Sequence, residues 1–354
     1  MSKKRLTVII NSLSVGGAEN MVCELVKNID RTAFDVRVLC YGAKRNTPIE
    51  EQTEKVCPVI YLDKDGHISP LKIVQVVGAL WKTKPDVVHA HLGGTGFGAI
   101  WAILYKKPLV ITVHASSHKA FSSKIERFVR CALKTGKTKI VAVFQENETA
   151  LKEYFGLSPK NCSCVNNGID LSRFSRKEHK DFTLINVARQ DDNKNQAALL
   201  RCFHRFHQKY PNSSLLLLGD GPNHVQLKEQ AKELGMADKV TFTGNVPNTQ
   251  DYYAVSDVYV QSSHREAMPL SVLEAMAAGL PIVSTDVGGL RDVVQENGIL
   301  VPDHDEEALY KAMERVYTQD KTGMENMCRK SLELVQNYSS QKMARAYEMI
   351  YGEF

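Results

Sequence analysis

The chain has 354 residues, enough for two domains of ordinary size, and 43% apolar with 24% charged residues is a globular balance. No apolar run reaches the length of a membrane span, and the eight cysteines and eleven histidines show no metal or disulfide spacing. The net charge of +5 is uneven: residues 1–175 hold 25 Lys and Arg against 15 Asp and Glu, and the rest hold 20 against 25.

A basic first half suggests an anionic partner or a membrane surface. Nucleic acid is not expected, because no binding motif or basic–aromatic interleaving is present. Reduced thiols in a cytoplasmic protein are expected. The apolar run at residues 6–10 is too short for a signal peptide and reads as a first core strand.

In chain order, residues 5–11 read as a strand, 12–17 as a loop ending in Gly16 and Gly17, and 18–29 as an amphipathic helix. The paired glycines fit either a tight turn or a loop that approaches a ligand. Further strands are predicted at 35–41, 58–62, 86–89, 109–113, 140–144 and 162–165, with helices at 71–83, 96–105, 121–134 and 147–154. Such alternation argues for a parallel sheet covered on both faces, with ligands beyond the strands' C-terminal ends. His89, His91 and His114 fall at two such ends. Each is read as a structural histidine or as a hydrogen-bond donor to a ligand.

Residues 119–139 combine Phe121, Ile125, Phe128, Val129 and Leu133 at helical spacing with Lys119, Lys124, Arg127, Arg130, Lys134, Lys137 and Lys139. This fits a helix packed on a core, or a basic amphipathic helix on anionic lipid. Residues 171–181 are charged and aperiodic and read as a linker.

The second half opens with a strand at 183–188 and a loop carrying Arg189 and Lys194. Two cations in one loop can stabilise negative charge on a departing group. His204 and His207 share a helix face, with nothing to join them as metal ligands. Strands follow at 214–218, 240–242, 257–260 and 281–284, and 309–351 reads as helical. Between the last two strands Glu266 precedes a helix opened by Pro269, and Glu274 follows eight positions on. A helix start of this kind favours phosphate. By spacing alone, the two glutamates read first as two surface carboxylates of an ordinary loop and helix.

The run from Glu266 through Glu274 to Ala275-Met276-Ala277-Ala278-Gly279-Leu280-Pro281-Ile282-Val283 resembles the signature of retaining glycosyltransferases of the GT-B fold, family 4 (group 1). Gly16-Gly17-Ala18-Glu19, Thr112-Val113-His114, Asn167-Gly168-Ile169-Asp170 and the Arg189–Lys194 loop are similar to that family's other motifs, in order. The first resembles members that build surface polysaccharides. Ala267 and Ala188 stand where the family commonly has Gly.

The resemblance implies an α/β GT-B fold of two Rossmann-like domains with parallel sheets facing across a cleft. The acceptor-side domain would be 1–170, joined by a C-terminal helix at 338–354, and the donor-binding domain 171–337. It implies transfer of a sugar from a nucleoside-diphosphate sugar, taken as a UDP-sugar, to a hydroxyl of a glycan or lipid-linked acceptor at the inner face of a bacterial membrane. Glu266 and His114 would hold the sugar, and Glu274 the ribose. Arg189 and Lys194, with Met268, Pro269 and Leu270 at the helix start, would meet the diphosphate. Gly16 and Gly17 would let the first loop approach it, and Val246 would meet the base. No metal or other cofactor is implied. A nucleotide-sugar epimerase of the same fold and a non-catalytic nucleotide-sugar-binding subunit are the alternatives.

Overall fold

The computed structural model describes residues 3–14, 16–63, 69–115 and 121–354. The chain divides into two compact units, Met1–Gly168 with Ser340–Phe354, and Ile169–Ser339.

The first unit is built on seven strands: β1 Lys4–Ile10, β2 Phe34–Cys40, β3 Val59–Tyr61, β4 Val87–His91, β5 Leu109–Val113, β6 Thr138–Ala142 and β7 Cys162–Cys164. All pair in parallel, in the order β3-β2-β1-β4-β5-β6-β7. β4, β5 and β6 are buried at every position, which is why they read as unbroken apolar runs rather than alternating ones. Helices Gly17–Asn28, Pro48–Glu54 and Ser340–Gly352 cover one face. Helices Pro70–Thr83, Gly94–Tyr105, Ser123–Leu133 and Gln145–Phe155 cover the other.

The second unit has six parallel strands: β8 Phe182–Val187, β9 Ser213–Leu218, β10 Val240–Gly244, β11 Val258–Gln261, β12 Ile282–Thr285 and β13 Gly298–Val301. Their order is β10-β9-β8-β11-β12-β13. Counted within each unit, both sheets run 3-2-1-4-5-6, and the first adds a seventh strand. This is the doubly wound order, whose direction reverses between strands 1 and 4 and leaves a ligand crevice at their C-terminal ends.

Several expectations need correction. β4 extends to His91, so His89 and His91 both lie within the strand. Strand β13, absent from the sequence reading, completes the second sheet. Residues 171–181, read as a linker, follow the boundary between the units and are bonded within the second. Asp170 caps a short turn at Leu171–Arg173, and Arg176 and His179 both reach the Asp257 carboxylate, at 2.7 and 2.8 Å. The helical tail is three helices, Glu306–Tyr317, Lys321–Val335 and Ser340–Gly352. Asp320 caps the second, and a 3-10 turn at Gln336–Tyr338 separates it from the third.

The stretch at 119–139 is also reduced. Lys119 lies outside the described residues. Val129 is buried, and Phe121, Ile125 and Leu133 pack against the core, so the apolar stripe faces inward and leaves Phe128 exposed. Lys139 is buried within β6 and pairs with Glu353. Arg130 pairs with Glu126 and lies over the rings of Tyr154 and Phe155.

Candidate active site

In the second unit, two loops leave the sheet where its order reverses: residues 188–195 after β8 and 262–269 after β11. The side chain of Asn186 ties the two strands together, donating to the Val260 carbonyl at 2.8 Å.

Gln190, fully buried, anchors the first loop. Its amide N–H donates to the Asp220 carbonyl at 3.0 Å, and its side chain donates to the Gly219 carbonyl at 2.9 Å and faces His224 Nδ1 at 2.8 Å. A side chain on Gly221 would bring a Cβ within 2.2 Å of the Gln190 carbonyl oxygen, so this contact needs glycine.

The second loop is bonded to the first. Ser262 Oγ donates to the carbonyls of Lys194 and Asn195 at 3.0 and 2.9 Å. Asn193 donates to the Arg265 carbonyl at 2.9 Å and accepts from the His264 N–H at 2.8 Å. Behind them, Thr285 Oγ1 donates to the Ser263 carbonyl at 2.6 Å, and the Gly289 N–H donates to the Ala267 carbonyl at 2.8 Å. Gly288, at φ 58°, leaves no room for a Cβ beside the Glu266 carbonyl.

This lattice fixes Lys194 Nζ 2.5 Å from Glu266 Oε1. The pair is largely shielded, with side-chain exposures of 21% and 8%. Removing two charges from water costs about as much as their attraction returns, so stability alone does not account for it. An ammonium beside a carboxylate at the mouth of a sheet can bind a phosphate oxygen and a hydroxyl at neighbouring points.

Helix Leu270–Ala277 starts directly after Glu266 and Met268. Pro269 stands at its N-cap position in extended conformation rather than inside the first turn, and no side chain caps this end. Glu274 lies on the same helix. Part of its surface is accessible, yet protein crowds the carboxyl, and burial raises it to about 7 against the pull of Arg173 and Tyr253. Both glutamates lie near Tyr259, whose buried hydroxyl they help to raise. That hydroxyl also meets Ser271 Oγ at 2.8 Å.

Lys194 and Glu266 are therefore brought together, with Met268, Pro269 and Leu270 adjoining. Arg189 is mostly exposed and lies 3.7 Å from Asp191. Val246 is half-buried in the loop after β10, whose Gly244 carbonyl accepts from the Gly219 N–H at 2.9 Å. His207 bonds Ser213, and His204 meets Gln208. Gln190, Asn193, Ser262, Thr285, Arg173 and Tyr253 were missed; five of them bond backbone carbonyls distant in sequence, Arg173 acts through charge on Glu274, and no local spacing marks them.

In the first unit, the strand ends hold a buried imidazole network. His89 Nδ1 meets the Tyr351 hydroxyl at 2.6 Å, and its Nε2 meets Thr112 Oγ1 at 2.7 Å, which in turn meets the Tyr347 hydroxyl. His91 Nδ1 lies 2.9 Å from His114 Nε2. Burial holds His89 and His91 well below the usual imidazole range and lowers His114 to about 4, so all three are neutral near pH 7. Neither Gly16 nor Gly17 has a positive φ, so neither needs glycine for a left-handed turn. A Cβ on Gly16 would strike the Glu19 carboxylate, whereas Gly17 faces open space.

The second half of the chain matches the family described as glycosyl transferases group 1 over residues 169–332, and the first half matches glycosyltransferase family 4 over residues 15–173. The chain is 25% identical over 342 residues to the N-acetylgalactosamine-N,N'-diacetylbacillosaminyl-diphospho-undecaprenol 4-alpha-N-acetylgalactosaminyltransferase of Campylobacter jejuni, covering 90% of this chain and 91% of that one. It is 24% identical over 341 residues to the UDP-Gal:alpha-D-GlcNAc-diphosphoundecaprenol alpha-1,3-galactosyltransferase of Escherichia coli, covering 87% and 86%. Among solved structures, Anabaena HepE in complex with UDP-glucose is similar with a TM-score of 0.82 at 20% identity, over 99% of this chain and 100% of that one; this likeness concerns the fold. Two parallel sheets in doubly wound order, helices on their faces and the two family matches agree: the chain is a glycosyltransferase of the group 1, family 4 type, built on the GT-B fold.

Proposed function

We propose that the chain transfers a sugar from a UDP-sugar to a hydroxyl of a diphospholipid-linked glycan, with retention of anomeric configuration. The observation that carries this reading is the Lys194–Glu266 pair, held at 2.5 Å at the reversal point of the second sheet and in front of an uncapped helix start. Lys194, Arg189 and the amides at that helix start would stabilise charge on the departing diphosphate. Glu266 would accept from sugar hydroxyls, and Glu274 from the ribose. Val246 would lie along the base. His114 would meet the sugar as a neutral imidazole, and the open space at Gly17 would admit a phosphate. The roles 1–170 acceptor side and 171–337 donor side belong to the same proposal.

UDP and UDP-glucose complexes among the similar structures support the choice of base. The diphospho-undecaprenol acceptors in two relatives' names support the acceptor class. Attack from the face that the diphosphate leaves would retain configuration, and the anomeric proton coupling of the product would read it directly. The first test is thermal stability against UDP- and GDP-sugars in EDTA, since a ligand of the folded state raises the midpoint. A UDP-sugar shift that Lys194→Ala and Glu274→Ala abolish is expected. A full shift in both variants would overturn this placement of the donor.

A further inference from the structure

A second group of chemistry-bearing side chains lies outside the proposed donor contacts. His264, Asp303 and His304 present ligand atoms that all fall within 4.8 Å of one another, and among the described residues no other group does so. They come from two segments: the loop after β11, and the turn between β13 and helix Glu306–Tyr317. His264 Nδ1 lies 2.7 Å from Asp303 Oδ1, and His304 Nε2 lies 3.3 Å from Asp303 Oδ2. The two imidazoles stack, with ring centroids 4.3 Å apart and planes 26° from parallel. One carboxylate thus has an imidazole on each oxygen. His304 is held at φ 63°, a region that non-glycine residues adopt at a cost.

We propose that these three residues form a site for one divalent transition ion of the zinc class. Two imidazole nitrogens and one carboxylate are the donor set such ions prefer, and three protein ligands leave a fourth position for water. Ligand atoms around a tetrahedral ion with bonds of about 2.0–2.2 Å stand roughly 3.4 Å apart. The three ligand atoms, one per residue and all within 4.8 Å of one another, reach that spacing after small movements, and His304, with a side chain 75% exposed, can rotate. The ion would take the place of the hydrogen bond between His264 and Asp303. Bound there, it would clamp the loop carrying Glu266 to the turn after β13, because His264 precedes Glu266 by two residues. It would have no part in the transfer itself.

The test uses the full chain and cobalt or zinc as the probe, without donor. One ion per chain in a dye-competition titration is expected, and the cobalt spectrum should lack a thiolate charge-transfer band, which excludes the eight cysteines. His304→Gly and Asp303→Asn should each weaken binding by about 10-fold or more. His304→Gly should keep the fold and raise the midpoint in EDTA by relieving the positive φ. No binding by the parent chain, a thiolate band, or equal affinity in both variants would overturn the proposal. The UDP-sugar shift in EDTA is read separately, so loss of either result leaves the other standing.

Discussion

Glu274 carries a conflict between stability and ligand binding. Burial raises its carboxyl from the usual range to about 7. The unfolded chain releases that proton from about pH 4.5, whereas the folded chain keeps it to about 7, so stability is lost as pH rises between the two. Above pH 7 the ionised form costs about 3 kcal/mol. Glu274→Gln should therefore melt higher than the parent at pH 8, with the gain shrinking to nothing near pH 4.5. If the carboxylate holds the ribose, the same variant should lose donor binding, and parent affinity should fall as pH drops below 7. A Glu274→Gln melting curve identical to the parent at pH 8 would show that the carboxyl is not strained by burial. The Lys194–Glu266 pair makes a complementary case. Lys194→Ala leaves Glu266 shielded and unpaired, at a cost on the order of 3 kcal/mol, and adding Glu266→Gln should return part of it in urea denaturation. Both glutamates and the lysine were legible through the family resemblance, the glutamates helped by Pro269, Gly279 and Pro281 around them; Lys194 has no such punctuation nearby. The residues that support all three were not legible. Gln190, Ser262 and Thr285 act by bonding carbonyls, and that role leaves no period or spacing in the sequence.

Among the elements, buried strands were the most legible, because a parallel sheet covered on both faces demands uninterrupted apolar runs. Helix Pro48–Glu54 was overlooked although its signal was present: Thr47 and Glu50 form a capping box around Pro48. β13 was overlooked for a physical reason, since Gly298 opens a four-residue edge strand that is buried only at Val301. In the basic helix Ser123–Leu133 the periodicity served the core-packed reading: its apolar stripe packs against the first unit's core. What still faces outward is Phe128 with Lys124, Arg127, Lys134 and Lys137. If this surface meets acidic lipid, flotation with anionic vesicles should be lost in a Phe128→Ser, Arg127→Gln, Lys134→Gln variant with an unchanged melting temperature. Arg130 should stay, because its bonds to Glu126 and the Tyr154 carbonyl are structural. Equal flotation by the variant would remove this helix as a lipid contact.

At the scale of the whole molecule, the last helix closes the first unit. Tyr347 and Tyr351 of Ser340–Gly352 are fully buried and complete the network around His89, so the chain's end is part of the first sheet's core although some 170 residues of the other unit intervene. That network gives the first unit its own pH response. His89, His91 and His114 are neutral when folded and protonate freely when unfolded. A depressed imidazole contributes stability that is complete above about pH 6.5 and is lost as pH falls towards the folded value, near 4 for His114. Three such groups sum to as much as about 4 kcal/mol per pH unit in that window. Glu19, raised by burial, offsets part of the loss. Trp81 and Trp101 are the chain's two tryptophans, and both lie in the first unit, so indole fluorescence reports that unit's unfolding. Its midpoint should fall steeply between pH 6.5 and 5, and His114→Gln should flatten the slope by about one proton's worth. A midpoint that stays level across this range would mean that the imidazoles are solvated and titrate normally, and the neutral His114 assigned to the sugar would fall with it.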